Sequence, residues 1–328
     1  MPQLRVIFVG ACAPLLEWLC RHPEAVLLRA YLPPRAPQLG VLLSLCAHYE
    51  IPAQLAADGE ALRETLPPAL DLGFCAFFER LPEEVFTTPR LGFLNFHPAP
   101  LPARPGRHPL PGLIMSEATE GRATWHWVEA GLDQGAIFEE APVARLALDD
   151  PSRLEARTIE VGLRLLAEGW PSLLGGYAAR VPQPLDVPRH PSQRARVPLS
   201  DMLAPIDALR ILLAQAPYGG TPMALESSAA QGQETGADAD RSERLIFLGR
   251  ATLCVLSKEV SAGEILPSVP AASPLPLNAP LSTPTFRLSL GGGWGLEVER
   301  WDPTDWSPRA GERLITPAGD PRERWPLP

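Results

Sequence analysis

Leu4 to Val9 is a short apolar run that ends at Gly10, the pattern of a buried first strand. Leu15, Leu16, Leu19 and Cys20 then recur at helical spacing. Ala25 to Leu32 reads as a second strand, Leu39 to Tyr49 as a helix, and Ile51 to Ala53 as the start of a short extended piece. Residues 59–66 suit a helix, Leu70 to Phe78 a buried strand, and Leu91 to Phe96 another. Residues 98–112 are rich in Pro, Gly and Arg and read as a loop. Arg122 to Val128 alternates like a strand and runs into Glu129-Ala130-Gly131-Leu132-Asp133-Gln134-Gly135. Ser152 to Leu174 is one long helical pattern, with Ser152 placed to cap it and Gly175-Gly176 to stop it. Strands alternating with helices predict an α/β fold, a Rossmann-like, mostly parallel sheet with helices on both faces. Such sheets bind ligands beyond the carboxyl ends of their strands.

The pattern changes after Pro182. Pro182 to Pro198 reads as a linker, and Asp201 to Gln215 contains a short helix. Residues 227–243 are rich in Ala, Gly, Gln, Ser and Asp, residues 262–284 in Pro, Ser and Ala, and both read as loops. Leu245 to Leu248, Thr252 to Leu256, Phe286 to Leu290 and Gly295 to Val298 read as short strands. The expected organisation is a catalytic domain over residues 1–184 and a small β-barrel-like domain over residues 185–328, with the boundary near 185–200.

Charge narrows the partners. The formal net charge is -9, which excludes a generally basic, phosphate-tracking surface. Lys258 is the only lysine, so Arg carries the cationic work. Hydrophobic residues at 45% and charged residues at 20% are globular values. The five cysteines, Cys12, Cys20, Cys46, Cys75 and Cys254, include no C-x-x-C pair, which argues against a zinc site or a disulfide framework. With neither a signal-peptide pattern nor a membrane-length apolar run, a cytoplasmic chain without a membrane partner is expected. Gly10-x-Cys12 lacks the further glycines of a dinucleotide fingerprint, and no residue offers Cys12 a base.

The candidate chemistry sits at two strand ends. In Asn95-Phe96-His97 the amide and the imidazole are two residues apart and share one face of a strand. Asp133 lies in a Gly-flanked turn after another strand. An amide N–H stabilises a developing oxyanion, an imidazole moves protons near neutral pH, and a carboxylate orients the imidazole and favours its cation.

Leu91-Gly92-Phe93-Leu94-Asn95-Phe96-His97-Pro98, followed by Leu101-Pro102 and Gly106, resembles the signature of the folate-dependent formyltransferase family. Ala123 to Gly135 resembles that family's strand and G-L-D-x-G loop, and Asp71 to Glu84 its L-P-x-E segment. The likeness covers roughly residues 4–180. It implies that Asn95, His97 and Asp133 form the catalytic triad. It also implies that 10-formyltetrahydrofolate is the formyl donor, with no metal. The implied pterin walls are Phe78, Glu79, Arg80 and Leu81 on one side and Trp127, Val128, Glu129, Ala130 and Gly131 on the other, acting mainly through backbone. Trp125 and Trp127 are expected to divide between core and outward-facing roles.

The chain departs from the family after His97. The usual Ser is Ala99, and the usual Arg before the glycine is Pro105. Arg104, Arg107 and His108 are the candidate acceptor-binding residues. A tRNA acceptor calls for a basic second domain. Here acidic residues match Arg and Lys after residue 185, which favours a small-molecule amine such as an amino sugar nucleotide or a siderophore or antibiotic precursor. The alternatives are a methionyl-tRNA formyltransferase, a formyltetrahydrofolate hydrolase and a non-catalytic folate-binding protein. The protein is expected to be a monomer or a homodimer.

Overall fold

The computed structural model describes residues 2–190, 204–218, 221–225, 245–255, 265–266, 286–291, 294–302 and 314–315. The chain divides into two compact units. One comprises Met1–Leu113, Ala118–Arg145 and Arg153–Ser192; the other comprises Ile114–Glu117, Leu146–Ser152 and Gln193–Pro328.

The first unit is built on seven strands: β1 (Leu4–Gly10), β2 (Ala25–Leu32), β3 (Ala53–Leu55), β4 (Leu72–Ala76), β5 (Phe93–His97), β6 (Glu120–Trp127) and β7 (Ile137–Ala144). They lie in the order β3-β2-β1-β4-β5-β6-β7. The pairings from β3 to β5 are parallel, and β6 and β7 join antiparallel. The Rossmann-like sheet expected from the pattern is therefore present. The helices of this region are α1 (Ala13–Arg21), α2 (Leu39–His48), α3 (Glu83–Phe86), α4 (Pro109–Met115) and α5 (Pro151–Gly175). α1 buries Ala13, Leu15, Leu16 and Leu19. Every residue of β4 is buried, as a strand covered on both faces requires. At Gly10 a β-carbon would lie 1.8 Å from the Ala76 carbonyl oxygen, so no larger residue fits where β1 ends beside β4.

Several local expectations need correction. Residues 59–66 form only a single turn of 3-10 helix, Glu60–Leu62. The Thr65 carbonyl is taken by Arg29 (2.7 Å) and Tyr31 (2.6 Å), and Pro67 turns the preceding residue away from the helical region. The 98–112 loop ends early, because Pro109 opens α4. Pro151 opens α5, which places Ser152 inside the helix rather than at its cap. β7 was not foreseen: Pro142 interrupts its pattern, and it is tolerated because β7 is an edge strand.

The second unit contains α6 (Pro205–Gln215) and strands β8 (Thr221–Leu225), β9 (Leu245–Val255), β10 (Ile265–Leu266), β11 (Phe286–Gly291), β12 (Trp294–Asp302) and β13 (Leu314–Ile315). They form one antiparallel sheet in the order β10-β11-β12-β9-β8-β13. The two strands expected at 245–248 and 252–256 are one, with a register shift opposite Arg250. Residues 227–243, most of 262–284 and the linker beyond His190 lie outside the described residues. Among the described residues no helix is long and apolar enough to cross a membrane.

The core of the first unit is aromatic. Trp125 and Trp127 are both buried, at 1% and 2% exposure, which overturns their expected division. Residues two apart on a strand share a face, and the residue between them turns the other way. Trp125 packs on Phe74 and Phe96 and donates its indole N–H to the Gly162 carbonyl of α5 (2.7 Å). Trp125→Phe leaves that carbonyl without its donor. A loss of about 1–3 kcal/mol in folding free energy is expected, read from denaturant midpoints at unchanged slope.

Candidate active site

β5 and β6 pair antiparallel, so residues directly opposite each other share a face. Asn95 stands opposite His126, and His97 opposite Thr124. One face of this pair therefore carries Asn95, His97 and His126, and the other carries Phe96, Trp125 and Trp127. His126 was not singled out from the sequence. The polar-apolar alternation of Thr124-Trp125-His126-Trp127, laid against Asn95-Phe96-His97, is the signal that finds it.

Asp133 enters from the turn between β6 and β7. Its φ is +50°, a left-handed conformation uncommon outside glycine. Two residues on, a β-carbon at Gly135 would lie 1.7 Å from the Trp127 carbonyl oxygen, so the turn closes tightly against the end of β6. The carboxylate then reaches both imidazoles. Oδ2 is 3.7 Å from His97 Nδ1, and Oδ1 is 3.5 Å from His126 Nε2. The Gly106 N–H donates to Oδ2 at 2.8 Å.

Each ring has a second partner. His97 Nε2 donates to the Arg104 carbonyl at 2.6 Å. His126 Nδ1 donates to the Trp127 carbonyl at 3.0 Å. His126 Nε2 lies 2.9 Å from Asn95 Nδ2, between the amide and the carboxylate. When neutral, that nitrogen accepts from the amide; when protonated, it donates to the carboxylate. Structure thus brings Asn95, His97 and Asp133 into one cluster and adds His126 to it.

Burial governs the charges. His97 is 4% exposed, and loss of solvent pulls its imidazole below the ordinary histidine value. Asp133 and the Arg104 carbonyl push it upward without prevailing. The carboxylate favours the cation as expected, but burial outweighs it, and the ring is poised as a neutral base. Burial alone would raise the Asp133 carboxyl. The His126 hydrogen bond, the positive charge on either ring and the Gly106 N–H together outweigh it and hold the carboxyl down to about 2. Cys12, two residues beyond the end of β1, is pushed up to about 12 by burial and is no nucleophile.

The expected donor walls meet. Arg80 donates to the Ala130 carbonyl at 2.6 Å, joining the segment after β4 to the segment after β6. Arg80, Leu81 and Ala130 line a cavity of about 290 Å³ with Glu60, Pro82, Glu83 and Phe86. Leu81 and Trp127 are themselves buried, and the Trp127 backbone is already engaged, its N–H donating to the Ala136 carbonyl at 2.9 Å and its carbonyl accepting from His126. Phe78 and Val128 pack against the core cluster around Leu81. Glu129 accepts from the Ala136 N–H (3.3 Å), and the Gly131 carbonyl accepts from Gln134 (3.2 Å). Glu79 pairs with Arg107 at 3.4 Å, and Arg104 donates to the His190 carbonyl at 3.3 Å. His108 is half-buried just ahead of α4. Among the described residues no group of His, Cys, Asp and Glu has the arrangement of a metal site.

The family model for formyl transferase matches residues 29–169, a stretch that includes Asn95, His97, His126 and Asp133. Over this segment the chain is similar to the formyl transferase family. A methionyl-tRNA formyltransferase of Burkholderia ambifaria is 28% identical over 239 residues, spanning 66% of this chain and 71% of that protein. An N-formyltransferase of Helicobacter canadensis, solved with folinic acid and dTDP-3-aminofucose, matches with a TM-score of 0.58 at 12% identity. That match covers 90% of this chain and 99% of the other. A 4-N formyltransferase of Francisella tularensis matches with a TM-score of 0.56 at 15% identity, over 67% of this chain and 91% of that one. At such identities the two solved formyltransferases speak to the fold alone.

Asp133 also makes this formyl transferase fold acid-sensitive. A carboxyl that titrates near 3.8 when free and at about 2 in the fold contributes about 2 kcal/mol of stability at neutral pH. The contribution is complete above the free value and is lost as the pH falls through the folded one. Asp133→Asn is expected to lose less stability than the parent between about pH 5 and pH 2, measured by urea unfolding. Parallel curves for the two proteins would contradict this.

Proposed function

We propose that the chain transfers a formyl group from 10-formyltetrahydrofolate to the amine of a small-molecule acceptor. The observation that carries the reading is the buried cluster of amide, imidazole and carboxylate within the segment matched by the formyl transferase family model. The donor's pterin would lie along the Phe78–Leu81 and Trp127–Gly131 segments, held mainly by backbone groups. The roughly 290 Å³ cavity beside Arg80, Leu81 and Ala130 suits a flat ring system.

In the proposed step, the amine nitrogen attacks the formyl carbon and the carbonyl oxygen becomes an oxyanion. Asn95 has two amide hydrogens: one faces His126, and the other receives the oxyanion. The amine takes the place of the Arg104 carbonyl at His97; the neutral ring then carries its proton on Nδ1, toward Asp133, and accepts the amine proton at Nε2. The bond from carbon to the folate nitrogen breaks, and that nitrogen gains a proton returned by the imidazole. Asp133 stabilises the imidazolium that exists between the two transfers. His126 orients Asn95 by holding its amide from the side away from the reacting carbon.

The net charge of -9 opposes a nucleic-acid partner, and the Helicobacter protein was solved with a nucleotide-linked amino sugar. The Burkholderia relative favours a second reading, formylation of methionyl-tRNA. A panel of amino sugar nucleotides, simple amines and methionyl-tRNA, assayed with 10-formyltetrahydrofolate by absorbance of the released tetrahydrofolate, separates the two. Turnover of a small amine supports the proposal. Turnover of methionyl-tRNA alone, or formate release with no amine, would sink it.

His97→Ala is expected to lower turnover at least about a hundredfold. The neutral ring is the active form and burial holds its titration below 6.5, so kcat/KM should rise with pH to a plateau already reached near neutrality. An acid limb centred above 7 would contradict a neutral, buried base.

A further inference from the structure

The segment from Ala179 to Gln183 was expected to end the domain and begin a linker, yet it is bonded to the structure around the site at almost every residue. The Ala179 carbonyl accepts from the Trp127 indole at 2.8 Å. Arg180 lies 3.7 Å over the Trp127 ring and donates to the Leu91 carbonyl at 2.8 Å. Val181 exchanges two backbone hydrogen bonds with Ile137, at 2.7 and 2.9 Å. Gln183 Nε2 donates to the carbonyls of Asp133 and Gly135, both at 2.8 Å. Gln183 is 8% exposed, and its own Oε1 has no partner among the described residues. Its amide is oriented by the two carbonyls of the turn, at the expense of its own oxygen.

That turn has reason to be gripped. Asp133 occupies a left-handed conformation, and Gly135 is wedged against the Trp127 carbonyl. We propose that Gln183 is a positioning residue, whose amide clamps the turn on both sides of Gln134 and so holds the Asp133 carboxylate between His97 and His126. The proposal rests on the catalytic reading of that cluster. The groups that face Asp133 are His97 from β5, His126 from β6, the Gly106 N–H from the loop and the buried Cys75 thiol from β4. Those that face His97 are Asp133, His126 and the Arg104 carbonyl.

Without the clamp the carboxylate drifts, and His97 loses the negative charge that partly offsets its burial. Its imidazole then titrates lower still. Proton transfer suffers, while the donor pocket at Arg80, Leu81 and Ala130, which Gln183 does not line, is left alone. The test uses the full chain carrying Gln183→Met, which keeps the length and removes both donors. Gln183→Asn, an amide one carbon shorter, is the second variant. The His97 ring is titrated by NMR, and kcat and KM are measured in parallel. In Gln183→Met the His97 midpoint should fall by about 0.3 pH or more and kcat by about tenfold or more, with the donor KM within about threefold. Gln183→Asn should be intermediate, and it decides on the same criteria if the methionine variant fails to fold. An unmoved His97 midpoint overturns the proposal whatever happens to activity, as does a moved midpoint with normal kcat. If the parent protein formylates nothing but the midpoint still moves, the clamp stands and the formyl-transfer reading falls.

Discussion

A carboxylate removed from water must be ringed by donors, and the site depends on how Asp133 meets that demand. Its partners come from four places in the chain: an imidazole from β5, another from β6, a backbone N–H from the loop after β5, and a turn fixed from behind by Gln183. They are spread from His97 to Gln183 along the chain. Each is brought in by a different feature of the fold, so the charge state of the centre reports on the packing of the whole carboxyl end of the sheet. A misplaced strand or loop would leave an unpaired buried charge, a costly error that disfavours alternative arrangements.

The same strand pair serves two masters. One face of β5 and β6 is given to Phe96, Trp125 and Trp127, whose indoles are tethered to the Gly162 and Ala179 carbonyls. The opposite face carries the polar groups. Rigid aromatic packing behind a functional face is what holds its side chains to a narrow range of geometry. The relatively low freedom of the cluster is therefore paid for by ring packing rather than by the polar contacts themselves.

Much of this was legible in the sequence, for identifiable reasons. Short, largely apolar runs such as Leu4 to Val9 and Leu91 to Phe96 read as buried strands, and a helical stripe such as Leu15-Leu16-Leu19 reads as the face that covers them. Asn95 and His97 were readable because two-residue spacing on a strand fixes a shared face. His126 escaped notice because its partner strand runs antiparallel, and facing pairs follow from register, which a single strand does not disclose. Gln183 escaped because nothing in Pro182-Gln183-Pro184 hints at a contact with carbonyls fifty residues earlier. β7 was hidden by Pro142, and the 59–66 helix was lost because distant side chains claimed the Thr65 carbonyl.

β7 ends the sheet, and beyond the bridge from Ile137 to Val181 no strand among the described residues pairs with its outer edge. Along that edge stand Glu139, Glu140 and Pro142, two charges and a residue with no amide hydrogen. A foreign strand seeking to extend the sheet would meet a gap in the ladder at Pro142 and charged side chains beside it. The irregularity that obscured the strand in the sequence thus doubles as protection against runaway sheet growth between copies of the chain.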